Sequence, residues 1–148
     1  MSNITIRMAE IEDSEMIYEV SSKSFNTSWS LHAIKEEFYN LKTIYLVAED
    51  DGKIIGFGGF WLILDQGDIT NIAVIPEYRN QKVGSLILEN LIKEAKIRKA
   101  TSMTLEVRGS NTNAIHLYEK FSFKNDGIRK SYYRDNGEDA IIMWNTSL

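Results

Sequence analysis

Residues 69–92 read ITNIAVIPEYRNQKVGSLILENLI and pass through three patterns in direct succession. The β-branched run ITNIAVI is typical of a buried strand, and Pro76 ends its pairing because proline has no backbone N–H to donate. A short polar run follows, and apolar residues then recur at helical spacing from Val83 onwards. The stretch therefore predicts a strand, a polar turn and a helix, with an apolar helix stripe of Val83, Leu86, Ile87, Leu91 and Ala95.

The chain before this unit predicts one strand, two helices and a hairpin. ITIR at residues 4–7 alternates like a half-buried strand, Asp13 can cap a first helix, and Ser30 can cap a second one after the break NTSWS. Apolar runs on either side of an Asp-Gly pair predict a hairpin, and DQGD at residues 65–68 predicts a further turn.

The chain after this unit predicts a strand, a helix and a second hairpin. MTLEV is a strand that carries Glu106 near its end, and NAIHLYEKF is a short helix. GIRKSYY and AIIMWNT are strands on either side of the turn RDNGED. The complete order, β-α-α-β-β-β-α-β-α-β-β, indicates an α/β fold of the α+β type, with a mixed sheet in a single domain that spans residues 1–148.

The composition is that of one ordinary domain with its own core, because 43% of the 148 residues are hydrophobic. The net charge of −4 and the pI near 5.2 argue against a protein that coats nucleic acid, since phosphate binding needs a positive surface. The chain has no cysteine. Disulfides, thiolate metal ligands and a covalent acyl-cysteine intermediate are therefore excluded.

The first residues lack the charged-then-apolar pattern of a signal peptide. The longest apolar run, IIGFGGFWLIL, is too short to cross a bilayer as a helix. We therefore expect a cytoplasmic protein, monomeric or weakly homodimeric, that binds neither membranes nor nucleic acid directly.

The polar run before the predicted helix is a candidate anion site. Free backbone N–H groups and the helix dipole attract phosphate at a helix start, Gly84 lets a ligand approach the backbone, and Arg79 and Lys82 add positive charge. The P-loop signature is absent, and GFGG at residues 56–59 lies inside a strand pattern, so it is not a dinucleotide fingerprint. From these residues alone, an ordinary helix entry is an equally good interpretation.

Glu106 and Tyr118 form a second candidate site. Ligands of α/β sheets bind beyond the carboxyl ends of parallel strands, where a glutamate can act as general base and a tyrosine as general acid. For each residue taken alone, a solvated carboxylate and a core aromatic are the more common interpretations. His32 and His116 have no partner at metal-ligand spacing, so no metal site is expected.

Together these residues resemble the GNAT acetyltransferase superfamily, whose members carry an [RQ]-x-x-G-x-[GA] pyrophosphate loop after a central strand. In RNQKVGS, Arg79 and Gly84 match the pattern, whereas Lys82 replaces its first glycine. The segments NIAVIPEYRNQKVGSLILENLI, LEVRGSNTNAIHLYEKFSF and RKSYYRDNGEDAIIM resemble more closely the bacterial ribosomal-protein-alanine N-acetyltransferases of the RimI type. The resemblance covers essentially the whole chain. It implies a GNAT-like fold, with a central mixed, mostly antiparallel sheet and flanking helices.

The resemblance also implies a role for each matching position. Glu106 matches the proposed general base, and Tyr118 matches the general acid that protonates the leaving thiolate. A backbone N–H near Val74 would stabilise the oxyanion. The positions implied to hold acetyl-CoA are Ile72, Ala73 and Val74 for the pantetheine arm, Asn80, Gln81, Lys82, Val83, Gly84 and Ser85 for the pyrophosphate, and Asn111 for a further contact.

The implied reaction is acetyl transfer to the N-terminal alanine of a ribosomal protein. An α-amino group has a reference pKa of about 7.7–8.0 and must lose its proton before it attacks a thioester. Glu106 can accept that proton, directly or through water, and a tyrosine can donate one to a thiolate. Because the chain has no cysteine, direct transfer in a ternary complex is favoured over a ping-pong route.

Two alternatives stay open at this point. The same chemistry could act on a lysine side chain or on a small-molecule amine, or the chain could be a non-catalytic acetyl-CoA-binding module. The joint presence of Glu106 and Tyr118 argues against the second alternative. The loop around residues 26–30 and the hairpin RKSYYRDNGED would shape the acceptor pocket, with Tyr132, Tyr133 and Glu138 as candidate lining residues.

Lys82 raises a separate expectation. If the loop requires a positive φ at this position, a lysine is strained there, because only glycine adopts such a conformation freely. The affinity for acetyl-CoA would then be lower than in relatives with glycine. We accordingly expect Lys82→Gly to bind acetyl-CoA more tightly.

Overall fold

A computed structural model describes residues 3–24 and 29–148. Within these residues, seven strands form one sheet in the order β1-β2-β3-β4-β5-β7-β6, and four α-helices pack on it. The strands are β1 (Ile4–Met8), β2 (Thr43–Asp50), β3 (Lys53–Ile63), β4 (Gln66–Val74), β5 (Ser102–Arg108), β6 (Lys124–Arg129) and β7 (Ala140–Asn145). The helices are α1 (Ser14–Ser24), α2 (Leu31–Glu37), α3 (Val83–Ile97) and α4 (Thr112–Lys120).

The β2–β3 hairpin closes on two residues with positive φ. Asp51 and Gly52 have φ of 53° and 84°, which is the conformation that a two-residue hairpin turn requires. This confirms the predicted Asp-Gly turn. Ser30 caps α2 as predicted, because its Oγ accepts a hydrogen bond from the N–H of Ala33 at 3.1 Å.

A gap opens between β4 and β5. These two strands are parallel and pair only at Gln66–Ser102, Gly67–Met103 and Asp68–Thr104, and both then continue without pairing each other. A bulge lies just beyond the paired part: Ile69 faces Phe60 and Asn71 faces Gly59, so that one extra residue is inserted in β4. Because a bulge bends its strand, β4 turns away from β5 at this point.

The two faces of the sheet carry different helices. A Cβ placed on Gly58 would lie 2.6 Å from Ile87 Cγ2, so α3 packs directly over this glycine. On the opposite face, Trp61 Nε1 donates to Glu37 Oε1 of α2 at 2.6 Å. Leu117 of α4 lies beside the start of α3, which places α3 and α4 on one face, and α1 packs beside α2 on the other.

The hydrophobic core lies on both sides of β2, β3 and β4. From the predicted α3 stripe, Val83, Ile87, Leu91 and Ala95 are buried, whereas Leu86 is partly exposed. Leu88 is buried as well, which makes the apolar face of α3 wider than predicted. Burial of this face holds the start of α3 next to the gap.

The predicted order of elements and the mixed sheet are confirmed, but two boundaries differ. The turn predicted at residues 65–68 lies at residues 64–65, because Leu64 takes the positive φ (56°) while Gly67 belongs to β4. A Cβ on Gly67 would lie 3.2 Å from the Met103 side chain. The glycine therefore allows Met103 to pack closely against β4 and is not part of the turn. The strand predicted for GIRKSYY ends at Arg129.

Strand β6 ends there because Ser131 turns the chain. Ser131 has a φ of 51°, and its N–H donates to Asp139 Oδ1 at 2.8 Å. The turn predicted within RDNGED is present at residues 134–136. Residues 26–28, part of the loop expected to shape the acceptor pocket, lie outside the described residues.

Candidate active site

The loop between β4 and α3 contains two non-glycine residues with positive φ. A single 3-10 turn at Pro76–Tyr78 is followed by Asn80 and Lys82, with φ of 63° and 64°. Lys82 directly precedes α3, and in the described chain its side chain does not cap the helix. The lysine is therefore in a strained conformation, and the first N–H groups of α3 are available to a ligand.

Gly84 is the second residue of α3, and the fold itself does not require a glycine there. Its φ is not positive. A Cβ at Gly84 would find one described neighbour within 4 Å, Leu117 Cδ2 at the ordinary contact distance of 3.6 Å. An alanine would therefore fit sterically and would favour the helix. The absence of a side chain keeps space open beside the helix start, as close approach of a phosphate requires.

The end of β4 turns some of its backbone groups into the gap. The N–H of Ile75 donates to Ile55 O on β3 at 3.0 Å. Because backbone N–H and C=O groups alternate in direction along a strand, those of Ile72 and Val74 point away from β3. Arg79 Nε donates to Val74 O at 3.1 Å and ties the loop to the strand. Ala73 directs its own groups to β3, so Ile72 and Val74 are the positions that face the gap.

Asn111 caps α4. Its Oδ1 accepts a hydrogen bond from the N–H of Ala114 at 3.2 Å. This bond accounts for an asparagine at a helix start without any ligand. Its contact with a cofactor stays a prediction.

Glu106 forms an ion pair with Arg129. Met103 and Val107 are buried on the α3 face of β5, so alternation places Glu106 on the opposite face, which carries α1 and α2. Its side chain is 33% exposed, and its Oε2 lies 2.5 Å from Arg129 Nε on β6. Among the described residues Oε1 has no hydrogen-bond partner. The carboxylate thus keeps one oxygen available for another group.

Tyr118 lies on α4 and is 9% exposed. Its ring packs edge-on against Phe123, with centroids 5.9 Å apart. Burial, and to a lesser degree the nearby phenol of Tyr133, raise the pKa of Tyr118 to about 12. Within the described chain the Tyr118 hydroxyl makes no hydrogen bond. It is therefore a protonated donor that can still bond to a ligand.

Tyr133, on the loop before β7, is electrostatically close to both predicted catalytic residues. Burial raises its pKa, the cation of Arg108 opposes this rise, and the negative charge of Glu106 contributes to it. Tyr133 in turn affects the pKa of Tyr118. Tyr133 therefore interacts electrostatically with both Glu106 and Tyr118, which arise from opposite faces of the sheet. Sequence patterns name Tyr133 but do not reveal this link.

Arg108 anchors the loop that carries Tyr133. Its guanidinium lies 4.0 Å from the centre of the Tyr133 ring and forms an ion pair with Asp135 at 2.8 Å. Glu138 accepts a hydrogen bond from the N–H of Ser110 at 2.7 Å and lies 3.5 Å from Arg108. These contacts, the Ser110 bond first, lower the pKa of Glu138. Glu138 thus holds the loop to the end of β5, while Tyr132 is exposed beside Tyr133.

Asn71 is a polar residue of the gap that pattern analysis did not identify. It lies at the bulge of β4, opposite Gly59, and its Oδ1 is buried without a hydrogen-bond partner in the described part of the chain. Such an atom costs about 1–3 kcal/mol of stability. Native proteins rarely leave such an atom unpaired, which points to a partner outside the described chain.

Residues 3–24 and 29–148 contain neither a cluster of metal-binding side chains nor a membrane-spanning helix. No group of three or more histidine, aspartate or glutamate side chains is placed to hold a metal ion there. None of the helices described is long and apolar enough to cross a membrane.

Comparison with known proteins extends these observations. The acetyltransferase (GNAT) family matches residues 10–123. A Bacillus subtilis relative is 42% identical over 95% of this chain and 94% of its own. The ribosomal protein bS18-alanine N-acetyltransferase of Escherichia coli K12 is 35% identical over 94% of this chain and 95% of its own. The crystal structure of the Escherichia coli ribosomal-protein-S18-alanine N-acetyltransferase gives a TM-score of 0.91 at 34% identity, covering 98% of this chain and 95% of that one.

Proposed function

Because this chain belongs to the acetyltransferase (GNAT) family, we propose that it acetylates the N-terminal α-amine of an alanine that begins a ribosomal protein. The GNAT-like fold and the enzyme class implied by the sequence resemblance, an N-acetyltransferase that uses acetyl-CoA, are confirmed. The Escherichia coli relative and its crystal structure carry the ribosomal S18-alanine activity in their names, which supports the acceptor proposed here. A ribosomal acceptor would place the reaction in the cytoplasm.

The observation that carries the proposal is the gap between β4 and β5. Strand β4, on one side of the gap, leads to the loop before α3, and β5, on the other side, carries Glu106. Tyr133 interacts electrostatically with both Glu106 and Tyr118. An extended ligand that enters past α3 and an amine that enters from the opposite face would meet there. This is the geometry that direct transfer between two bound substrates needs.

The residues around the gap fit acetyl-CoA. In our proposal the first N–H groups of α3 and the space beside Gly84 hold the pyrophosphate, and Lys82 contributes a positive charge. The N–H groups of Ile72 and Val74 hold the pantetheine arm as a neighbouring strand would. Acetyl-CoA supplies the thioester whose carbonyl carbon accepts the amine.

Glu106 and Tyr118 move the protons in this proposal. Glu106 Oε1 accepts a proton from the α-amine as the nitrogen forms its bond to the carbonyl carbon. The carbon–sulfur bond breaks, and Tyr118 gives its hydroxyl proton to the sulfur. Burial keeps Tyr118 protonated in the neutral and moderately alkaline range in which the amine loses its proton, because the pKa of Tyr118 is raised to about 12.

A peptide panel tests the acceptor. The chain is incubated with acetyl-CoA and peptides that differ in their first residue, and mass spectrometry locates the label. We expect label on the α-amine of the peptide that begins with alanine, and none when that amine is blocked beforehand. Label confined to lysine side chains or to small amines would overturn the acceptor assignment.

Two substitutions test the roles of the side chains. Glu106→Gln and Tyr118→Phe should each lower kcat/KM for the acceptor about 10²- to 10⁴-fold while acetyl-CoA binding is retained. Unchanged transfer by both variants would overturn the catalytic roles. Wild-type chain that binds acetyl-CoA and transfers to no amine would instead indicate a non-catalytic binding module. Intersecting initial-velocity plots, expected for a ternary complex, would exclude the ping-pong route.

A further inference from the structure

Asn71 and Glu106 lie at the same level on the two walls of the gap. Asp68 pairs with Thr104, and Glu106 is two residues further along β5. Two further residues on β4 would reach Thr70, but the bulge inserts one residue and brings Asn71 to this level. The two side chains therefore face each other across the point where the strands separate.

Both side chains also project from the same face of the sheet. Asn71 is paired with Gly59, over which the ring of Tyr45 lies: a Cβ on Gly59 would be 2.3 Å from Tyr45 Cδ1. This is the face that carries α1 and α2, and Glu106 belongs to it as well. Tyr45 and Gly59 thus form the floor beside which the amide of Asn71 is held.

The buried atom of Asn71 is a hydrogen-bond acceptor, so its missing partner is a donor. The pantetheine arm would run along the strand edge formed by Ile72 and Val74, whereas Asn71 projects from the face of the strand. On that face the N–H donor that the reaction brings is the acceptor amine.

Resting on the function proposed above, we infer that Asn71 Oδ1 accepts a hydrogen bond from the acceptor amine and binds it together with Glu106. A primary amine has two N–H bonds. One proton passes to Glu106 as the nitrogen–carbon bond forms, and the other stays on the product amide, where Asn71 holds it throughout. The lone pair of the nitrogen is thereby directed into the gap. Asn71 is an acceptor-binding residue and takes no proton itself.

The geometry makes a specificity prediction. A secondary amine has a single N–H, which Glu106 must remove, so it leaves Asn71 without a partner. The enzyme should therefore discriminate strongly against a peptide whose first residue is N-methylalanine. This discrimination should depend on Asn71, whereas a purely steric rejection would not.

Asn71→Leu provides the test, because leucine has a similar size and no polar atom. The variant should unfold at the same or a higher temperature, since the unpaired buried oxygen is removed. Its acetyl-CoA affinity, measured by calorimetry, should be unchanged. Its kcat/KM for the alanine peptide should fall about 10- to 100-fold, and the ratio between the alanine and N-methylalanine peptides should approach one. Thr70→Ala, on the same bulge, serves as control and should keep the wild-type ratio.

The experiment distinguishes a failure of the Asn71 role from a failure of the proposed function. Wild-type turnover by Asn71→Leu, or an unchanged peptide ratio, would overturn the inference and leave the proposed function intact. Loss of acetyl-CoA binding would assign the amide to the cofactor and also overturn it. If Asn71→Leu does not fold, Asn71→Ala is measured in the same way. A wild-type chain that acetylates no amine would overturn the proposed function and this inference with it.

Discussion

Arg129 Nε on β6 lies 2.5 Å from Glu106 Oε2 on β5, although β7 runs between these two strands. The strand register explains how Arg129 contacts Glu106 across β7. Glu106 pairs with Ile142, which pairs with Gly127, a residue without a side chain. The arginine two residues further on is paired with Ala140 and extends diagonally across β7 to the carboxylate. This ion pair fixes one oxygen of the proposed base and leaves the other for the amine.

Replacing Arg129 by methionine should affect turnover more than stability. An exposed ion pair contributes about 0–1 kcal/mol to folding, so the melting temperature should change little. Loss of the fixed carboxylate orientation should lower kcat about tenfold, with an unchanged KM for acetyl-CoA. Steady-state kinetics and a melting curve check both parts. Arg129→Lys should recover part of kcat, and Lys124→Met, which removes a charge at the far end of β6, should behave as wild type.

Lys82→Gly should stabilise the protein and tighten acetyl-CoA binding. The φ of 64° at Lys82 costs about 1–2 kcal/mol in a residue other than glycine. Relief of this cost raises the unfolding free energy and increases the fraction of molecules whose loop is ready to bind. Denaturant unfolding and calorimetry measure the two effects. Lys82→Gln removes the charge and retains the strain, so it should bind more weakly than wild type; weaker binding by Lys82→Gly itself would contradict the prediction.

Gly84→Ala should separate binding from folding. The nearest described neighbour of the added Cβ, Leu117 Cδ2, is at an ordinary 3.6 Å, so stability should be kept or raised slightly. The methyl group would occupy the space proposed for a phosphate, and acetyl-CoA affinity should fall about tenfold or more. Gly58→Ala is the contrasting control. Its Cβ would lie 2.6 Å from Ile87, so it should destabilise the fold by about 1–3 kcal/mol. Full affinity in Gly84→Ala would remove the loop from the cofactor site.

Tyr118 should make stability depend on alkaline pH. Its pKa is raised to about 12 in the folded chain, against about 10 for a tyrosine in water. Below pH 10 the contribution is fully present. Between pH 10 and 12 the unfolded chain releases the proton while the folded chain keeps it, so stability is lost as pH rises, by on the order of 2–3 kcal/mol in total.

Tyr118→Phe should remove this part of the alkaline loss, as seen in the unfolding free energy measured from pH 8 to 12. Tyr39→Phe, at an exposed tyrosine, is the matched control and should leave the loss unchanged. Equal pH dependence in Tyr118→Phe and wild type would show that burial of the phenol does not control the titration.

Local patterns were sufficient for the order of elements. The hairpin at Asp51, the cap at Ser30 and the apolar stripe of α3 each depend on residues that are close in the chain, and each was predicted. The turn after β3 was misplaced because Leu64, an unusual residue for positive φ, carries the turn. No periodicity distinguishes this leucine from those in strands.

The candidate site was predicted in part, for a physical reason. The roles of Glu106 and Tyr118 came from the family resemblance and stay predictions. Their surroundings depend on contacts between distant segments: Arg129 reaches Glu106 across the intervening strand β7, and Tyr133 approaches from a separate loop. The buried oxygen of Asn71 depends on a bulge that inserts one residue, which a two-residue period cannot represent.

The short pairing between β4 and β5 has a mechanical consequence. Three residue pairs join a four-stranded half-sheet to a three-stranded half-sheet in the described chain, so the seam is the weakest link between two otherwise continuous ladders. The halves should therefore open independently of global unfolding, and amide exchange in β5 should be faster than in β3. A ligand bound along both inner edges would act as the missing strand, and exchange on both sides of the seam should slow together when acetyl-CoA is added.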